Sequence, residues 1–329
     1  MSEIAYTTNE IQKTPMIILT GPTAVGKTSL SIRLAKELGG EIISADSMQV
    51  YRHMDIGSAK IRPEEMEGVP HHLIDILEPT ESFDVTVFQE KARQALEGIY
   101  QRGHLPIVVG GTGFYIQALL YDIDFNDQAQ DEKLRADLEA EMLEKGPEVM
   151  HERLAEIDPE SAEAIPAGNR KRVIRALEFY QLTGKKISDH NREQRSKESP
   201  YNYAYFVLTD EREKLYARID ERVDQMIKEG LAEEVKKLLE MGVQKTDTSM
   251  QGLGYREMLG YYDGEYSMDH AVYLIKRNTR HFAKRQLTWF RRERDVIWLP
   301  KQDFSYDEDR IMSMIHRELS KLGISAMND

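Results

Sequence analysis

Short apolar runs alternate with amphipathic stretches in the first 125 residues of the chain. The runs at 16–20, 41–46 and 106–110 are typical of buried strands, whereas 27–38 and 88–101 repeat apolar residues at helical spacing. Strands that alternate with helices in this order predict a parallel sheet covered by helices on both faces.

The pattern changes near Phe125. Residues 126–202 are charged, rich in Glu and Ala and free of clear strands, which predicts a mostly helical segment. Strand character returns at 203–208, and long amphipathic helices follow. We therefore predict an α/β core, residues 1–125 and 203–329, with a helical C-terminal part and a helical insertion domain at 126–202.

The composition excludes several classes of protein. The chain has 329 residues and no cysteine, so it has no disulfide framework, no Cys-ligated metal and no thiol nucleophile. No apolar run approaches the ~20 residues of a membrane span, and the polar N-terminus lacks a secretory signal. We expect a cytoplasmic protein with no membrane partner.

The charge is unevenly distributed. The formal net charge of −13 argues against nucleic acid as a partner. However, residues 127–163 hold 13 acidic and 4 basic residues, whereas 276–294 hold 8 basic residues and one acid. This asymmetry indicates a local basic face on an acidic protein; the alternative is a pair of solvated helices.

A phosphate-binding motif follows the first predicted strand and opens the next helix. It matches G-x-x-x-x-G-K-[ST] with Gly21, Pro22, Thr23, Ala24, Val25, Gly26, Lys27 and Thr28. Glycines let backbone amides curl around a phosphate, and the helix N-terminus adds a positive dipole end. Lys27 supplies a charge to the phosphates, and the Thr28 hydroxyl can ligate Mg²⁺. The core is therefore predicted to be P-loop NTPase-like, although the motif leaves open which phosphate is bound.

Nucleotide hydrolysis is poorly supported. A P-loop hydrolase usually has a strand that ends in an Asp holding Mg²⁺, but the strand at 107–109 ends in Gly110-Gly111-Thr112-Gly113. The chain also lacks an Asn-Lys-x-Asp motif for guanine.

A carboxylate follows the second predicted strand, in the run Asp46, Ser47, Met48 and Gln49. The carboxyl ends of strands in a doubly wound sheet face the ligand crevice, which brings Asp46 near the phosphate site. There Asp46 could hold metal-bound water or take a proton from a nucleophile. Gln49 could read an adenine edge. The alternative is an Asp46 that caps the next turn and a solvated Gln49.

Two further features could face a phosphate. Three glycines surround Thr112, which suggests a backbone that approaches a ligand closely; the alternative is a tight turn into the next helix. Arg218 and Arg222 lie four residues apart and share a helix face. An Arg fork suits a pyrophosphate, and the alternative is a solvent face salt-bridged to Asp220 or Glu221.

Two groups of basic residues lie outside these motifs. They are Arg277, Arg280, Lys284 and Arg291 at helical spacing, with Phe282, Gln286 and Trp289 on other faces, and Arg170, Lys171, Arg172 and Arg175 in the insertion. A basic helix with aromatics suits an RNA backbone. A solvated face is the alternative for either group alone.

Taken in order, these motifs resemble those of the bacterial tRNA dimethylallyltransferase family, also called tRNA isopentenyltransferases. The matching segments span most of the chain: 21–28, 46–51, 54–57, 71–75, 109–113, 175–178, 254–257 and 284–291. The resemblance implies transfer of a dimethylallyl group from its diphosphate to the exocyclic N6 amine of the adenosine at tRNA position 37. That adenosine lies just 3′ of the anticodon in tRNAs that read codons starting with U, and the products are N6-isopentenyladenosine and diphosphate.

The resemblance also implies site residues. Asp46 would be the general base at the adenine amine, and Thr112 would hydrogen-bond the bridging oxygen of the leaving diphosphate. Lys27, Arg222 and Thr28 with Mg²⁺ would hold the diphosphate, and Gln49 would contact the target base. The implied tRNA contacts are Asp46, Ser47, Met48, Gln49, Thr112, Lys171, Arg172, Arg175, Gly254, Tyr255, Arg256, Lys284, Arg285, Gln286, Trp289 and Arg291. The expected partners are dimethylallyl diphosphate and the anticodon stem-loop, which the insertion domain and the basic helix grip, and we expect a monomer.

Some positions depart from the family pattern. The family often has Gly-Thr-Ala-Lys-Pro where residues 57–61 are Gly-Ser-Ala-Lys-Ile, and Ser58 keeps the hydroxyl. The Asn-Asp pair of the insertion is Asn169-Arg170 in this chain. Eukaryotic relatives carry a C-terminal zinc finger, which a chain without cysteine lacks.

Three other functions remain open from the residues. A P-loop kinase is disfavoured by the missing strand-end Asp and by the basic helical C-terminal region. An adenylate-type isopentenyltransferase acting on free AMP is disfavoured by the two basic groups. A non-catalytic RNA-binding module leaves the P-loop and Asp46 unexplained.

Overall fold

The computed structural model describes residues 13–125 and 131–326, which fall into two compact units. One unit combines the described residues up to Leu119 with those from Pro200 onward, and the other is Leu120–Ser199. The insertion predicted at 126–202 falls largely on the second unit.

The first unit is built on a six-stranded sheet. Its strands are β1 Thr14–Thr20, β2 Gly40–Ala45, β3 His71–His72, β4 Leu105–Gly110, β5 Tyr201–Thr209 and β6 Val296–Pro300. They pair in the order β3-β2-β4-β1-β5-β6, and every pair is parallel. The predicted α/β class with a parallel sheet is therefore confirmed.

Both units also contain helices. Those of the first unit are α1 Lys27–Leu38, α2 Val85–Gln101, α3 Gly113–Leu120, α9 Arg212–Glu229, α10 Leu231–Glu240, α11 Tyr255–Tyr262, α12 Met268–Phe290 and α13 Glu308–Lys321, α3 ending on the first residue of the second unit. Those of the second unit are α4 Glu132–Lys145, α5 Pro147–Ile157, α6 Pro159–Ala164, α7 Arg170–Thr183 and α8 Ile187–Ser196. In the described part of the chain, no helix is both long and apolar enough to cross a membrane.

One face of the sheet packs against α1 and α13. Alternate strand residues such as Ile17, Leu19 and Ile107 point into a core that also holds Leu34 of α1 and Ile315 of α13, all fully buried. Burying each such aliphatic side chain contributes about 1.5–3 kcal/mol. This packing fixes the position of the strands, whose carboxyl ends lead into the loops that hold the predicted site residues.

The second unit has a core of its own. Leu138 and Met142 of α4 pack with Leu154 of α5 and Leu177 of α7. Glu178 is fully buried on α7 and pairs with Arg135 at 2.8 Å and with Arg175 at 3.0 Å. A buried carboxylate is tolerated only when it is paired and hydrogen-bonded, so these two arginines stabilise the unit.

Candidate active site

The P-loop connects β1 to α1 at the carboxyl end of a central strand, between β4 and β5. Three of its residues have positive φ: Gly21 at +151°, Ala24 at +62° and Gly26 at +97°. A Cβ on Gly21 would lie 2.3 Å from the carbonyl oxygen of Leu208, so only glycine fits this position. The backbone thus follows the turn that the glycine spacing predicts.

Lys27 lies inside this turn. Its Nζ donates hydrogen bonds to the carbonyl oxygens of Gly21 at 3.0 Å and Pro22 at 2.9 Å. Burial and the neighbouring Arg222 lower the pKa of Lys27 to about 8, and Asp46 opposes this shift. A cation whose charge is disfavoured by burial and by another cation will gain from a bound anion.

Two more basic residues hold the P-loop from outside the motif. Arg218 Nε donates to the Ala24 carbonyl at 2.9 Å and forms an ion pair with Asp210. Lys301 Nζ contacts the Val25 carbonyl at 3.4 Å, and burial with the nearby Arg218 lowers the pKa of Lys301. These two residues hold the carbonyls of Ala24 and Val25 and so help to fix the path of the loop.

Arg222 differs from Arg218, although the two share a helix. Its guanidinium makes no hydrogen bond or ion pair with any described residue. It is exposed to an open cavity, yet enclosure by protein and the adjacent Arg218 lower its pKa, which Asp46 partly offsets. Arg222 and Lys27 therefore form a cationic pair close enough to interact with each other and with Asp46.

Asp46 follows β2 and has one committed and one open oxygen. Its Oδ1 accepts from the backbone N–H of Met48 at 2.8 Å and, more weakly, of Gln49 at 3.4 Å. Its Oδ2 makes no hydrogen bond with another residue that the structure describes. The turn-capping alternative is therefore realised, and it leaves Oδ2 able to accept a proton or a hydrogen bond.

Thr112 lies on the adjacent strand end, after β4. Its backbone N–H donates to the Ala45 carbonyl at 3.2 Å, and its carbonyl accepts from Tyr115 as α3 begins. Its hydroxyl has no hydrogen-bond partner among residues 13–125 and 131–326. The tight-turn alternative thus also holds, with the hydroxyl still free to meet a ligand.

Two cavities meet at this edge of the sheet. The first, of about 390 Å³, is lined by Thr23, Asp46, Ser47, Met48, Thr112, Arg222, Gly254, Arg256, Phe282 and Arg285 among others. The second, of about 520 Å³, is lined by Thr28, Ser44, Gln49, Lys60, Arg62, His71 and Arg222 among others. Ala59, Arg222 and Met226 border both cavities and form the wall between them. We call these the Asp46 cavity and the Thr28 cavity.

Gln49 lines the Thr28 cavity rather than the Asp46 cavity. Its Nε2 donates to the Ala59 carbonyl at 3.2 Å, and its Oε1 accepts from Ser44 at 3.3 Å. A base contact through this amide would replace hydrogen bonds that already exist within the chain.

Two predicted tRNA contacts are buried and hydrogen-bonded within the chain. Tyr255 is 0% exposed, and its hydroxyl donates to Glu234 at 2.7 Å. Gln286 is 5% exposed; it accepts from the Thr23 N–H at 3.0 Å and donates to the Gly111 carbonyl at 2.9 Å. Both side chains therefore link parts of the site through these hydrogen bonds, and Gln286 also borders the Asp46 cavity.

Trp289 is half-buried against the glycine turn. A Cβ on Gly113 would lie 2.2 Å from its indole ring, and its Nε1 is a buried donor without a partner among the described residues. The ring packs edge-on against Phe114 at 6.1 Å between centroids. This contact requires glycine at Gly113, but the group that approaches the backbone is a side chain of the same chain, whereas the triple glycine predicts a ligand.

Four basic residues on α12 and at its C-terminal end differ in whether they are paired. Arg280 pairs with Asp220 and Lys276 with Asp224, both on α9. Lys284 and Arg291 are exposed and form no ion pair with a described residue. The free basic surface is therefore smaller than the sequence count of cations suggests.

The insertion presents a similar split. Lys171 and Arg172 are exposed at the start of α7. Arg175 instead pairs with the buried Glu178, as described above. A contribution of Arg175 to RNA binding would have to share its guanidinium with this structural role.

The chain is similar to known proteins over most of its length. The family model described as IPP transferase matches residues 49–293, and the model described as isopentenyl transferase matches residues 14–78. The tRNA dimethylallyltransferase of Lachnoclostridium phytofermentans is 58% identical over 92% of this chain and 96% of the relative. That of Bacillus licheniformis is 55% identical over 87% of this chain and 90% of the relative.

Solved structures agree. The tRNA isopentenylpyrophosphate transferase of Bacillus halodurans matches 95% of this chain and 98% of its own, with 46% identity and a TM-score of 0.71. A eukaryotic dimethylallyltransferase captured acting on tRNA matches 94% of this chain and 80% of its own, with 30% identity and a TM-score of 0.79. This chain therefore belongs to the IPP transferase family, together with the tRNA dimethylallyltransferases.

Proposed function

We propose that this protein is a tRNA dimethylallyltransferase that uses dimethylallyl diphosphate as donor. The acceptor is the exocyclic N6 amine of the adenosine just 3′ of the anticodon. The allylic C–O bond breaks and an N–C bond forms, so that the products are N6-isopentenyladenosine, diphosphate and a proton. We further propose that it acts as a monomer in the cytoplasm, where tRNA is modified.

One observation supports this reaction above the others. Arg222, Asp46 with its open oxygen and Thr112 with its free hydroxyl line one cavity, and Lys27 lies close enough to Arg222 and Asp46 for their charges to shift its pKa. Two cations suit a diphosphate, and a carboxylate suits the amine proton released on alkylation. A kinase of this fold would usually have a strand-end Asp for Mg²⁺, which the strand at 107–109 lacks, and a binding module would need no desolvated cation pair.

The chemistry assigns a task to each group. Lys27 and Arg222 stabilise negative charge as it develops on the leaving diphosphate, in a partly desolvated site where such charges act strongly. The Thr112 hydroxyl donates to the departing oxygen. The amine becomes acidic once it is alkylated, so a carboxylate such as Asp46 is a sufficient base. Because the adenine amine is a weak nucleophile, alignment of donor and base contributes much of the rate.

A divalent cation would be held at the start of α1. The exposed Thr28 hydroxyl is a hard oxygen donor of the type that Mg²⁺ prefers, and diphosphate and water would supply the remaining ligands. Bound Mg²⁺ would neutralise charge on the leaving group. No group of three or more His, Cys, Asp or Glu residues in the described chain could hold a metal alone, so the donor itself completes the site.

The RNA surface is proposed to include Lys284, Arg291, Lys171 and Arg172, because these cations are exposed. Lys284→Ala is expected to reduce the slope of log affinity against log salt by about 1, the value of one lost phosphate contact. Arg280→Ala is the matched control and should change the slope less, because Arg280 already pairs with Asp220. Fluorescence anisotropy of a labelled anticodon stem-loop at several salt concentrations measures both slopes. Equal slopes for the two variants would exclude Lys284 from the contact.

A mass-spectrometric transfer assay tests the reaction. The protein is mixed with Mg²⁺, dimethylallyl diphosphate and an unmodified anticodon stem-loop that carries the target adenosine, with parallel reactions on AMP and on ATP. A five-carbon mass gain on the RNA alone is expected. A gain on AMP would favour the adenylate-type activity, and release of phosphate from ATP without prenyl transfer would favour a kinase.

A further inference from the structure

Glu234 is a buried carboxylate to which the proposed transfer reaction assigns no role. It lies in the first turn of α10 and is 9% exposed. It forms no ion pair with any basic residue in the described part of the chain. Burying an ionised carboxylate is costly unless hydrogen bonds replace its water, so the groups that face it indicate what it does.

Four donors meet this carboxylate. Its Oε2 accepts from the backbone N–H groups of Asp55 at 2.9 Å and Ile56 at 2.8 Å. Its Oε1 accepts from the N–H of Gly57 at 3.0 Å and from the Tyr255 hydroxyl at 2.7 Å. Three successive amides on one anion form a backbone nest, so Glu234 fixes the path of the loop that carries them.

This loop walls both cavities. Residues 57–59 line the Asp46 cavity, and Ala59, which also borders the Thr28 cavity, has a φ of +48°. Gly57 lies flat on the Tyr255 ring, since a Cβ there would approach the ring to 2.5 Å. Glu234 thus holds the loop by hydrogen bonds to its amides, and the Tyr255 ring packs against Gly57.

We propose that Glu234 is a positioning residue for the transfer reaction: through the amides of residues 55–57 it holds the wall against which donor and base are aligned. This inference rests on the proposed function. Glu234 touches neither reactant, and it acts through the loop. The wall includes Ala59 beside Arg222, so a displaced loop would misalign the leaving group relative to the attacking amine.

Glu234→Gln is the test, because glutamine keeps the size but replaces one acceptor oxygen by an amide donor that opposes the loop N–H groups. We expect kcat/KM for the donor to fall by about ten-fold or more per folded molecule. Stem-loop affinity should be unchanged, because it depends on exposed cations elsewhere. Glu233→Gln, an exposed neighbour on the same turn, is the control and should match the wild type.

Hydrogen exchange separates the outcomes. The amides of Asp55, Ile56 and Gly57 should exchange faster in Glu234→Gln, with the rest of the core unchanged. A variant that lowers kcat only in proportion to its folded fraction, with an unchanged donor KM, would overturn the positioning role. If Glu234→Gln does not fold, Tyr255→Phe removes one of the four hydrogen bonds and should give a smaller loss in kcat/KM; a wild-type value there would overturn the proposal. Failure of the wild type to transfer a prenyl group would instead refute the proposed function, since exchange still reports on Glu234.

Discussion

Asp46→Asn is expected to abolish prenyl transfer while RNA affinity falls much less. Asparagine keeps a side-chain oxygen for the Met48 N–H, so the turn after β2 survives. It cannot take the proton from the alkylated amine, and removing a general base typically costs about 10²–10⁴ in rate. Single-turnover transfer with saturating RNA, followed by mass spectrometry of the stem-loop, measures this loss directly.

The control for Asp46→Asn is Asp269→Asn, which removes one negative charge from an exposed position in the first turn of α12. It should leave turnover unchanged. Turnover of Asp46→Asn at the wild-type rate would exclude Asp46 as the base. A parallel loss of RNA affinity would instead assign Asp46 to binding.

Lys27→Met is the second change with a large expected effect. Lys27 holds two P-loop carbonyls and faces the proposed diphosphate, so its loss removes both a charge and a loop contact. Loss of one preorganised electrostatic contact commonly costs about 10²–10³ in kcat. Steady-state kinetics with varied donor should show the fall, and the stem-loop dissociation constant should stay near the wild-type value.

The lowered pKa of Lys27 adds a pH dependence to that prediction. Because the pKa of Lys27 is about 8 in the free protein, the side chain is charged below that pH and loses its proton above it. Diphosphate favours the charged form, so its affinity should fall as pH rises through about 8, and binding above this pH should take up a proton. Calorimetry in two buffers of different ionisation enthalpy measures the uptake. Lys27→Arg keeps its charge throughout this range, so its diphosphate affinity should not show this fall as pH rises.

The local parts of the fold and site could be predicted from the sequence. The strand, glycine turn and helix around Lys27 form one continuous segment, so periodicity and glycine spacing locate the P-loop without any tertiary information. The same holds for the strand ends that carry Asp46 and Thr112. By contrast β3 has only two residues, too few to show an alternating pattern, and β6 has five residues directly after a charged segment, too few to stand out from it.

Contacts between residues far apart in the chain could not be predicted from the sequence. Lys301 reaches the Val25 carbonyl, and Glu234 reaches the loop at 55–57, across much of the chain. A sequence motif also identifies residues without showing where their side chains point. Tyr255 and Gln286 lie inside family motifs, but only tertiary packing shows that one is buried and that the other links the P-loop to Gly111.

The pairing of β1 has a consequence for how the chain is made. Thr14 pairs with Tyr201, so the strand beneath the P-loop lacks one neighbour until the ribosome has passed the whole helical unit. At about 5–20 residues per second this takes roughly ten to forty seconds. The helical unit, which packs its core from contiguous residues, is synthesised within that interval and is complete just before β5 is made. Until β5 is made, the unpaired edge of β1 is open to pairing with other strands. The phosphate-binding turn reaches its final structure only when β5 pairs with β1.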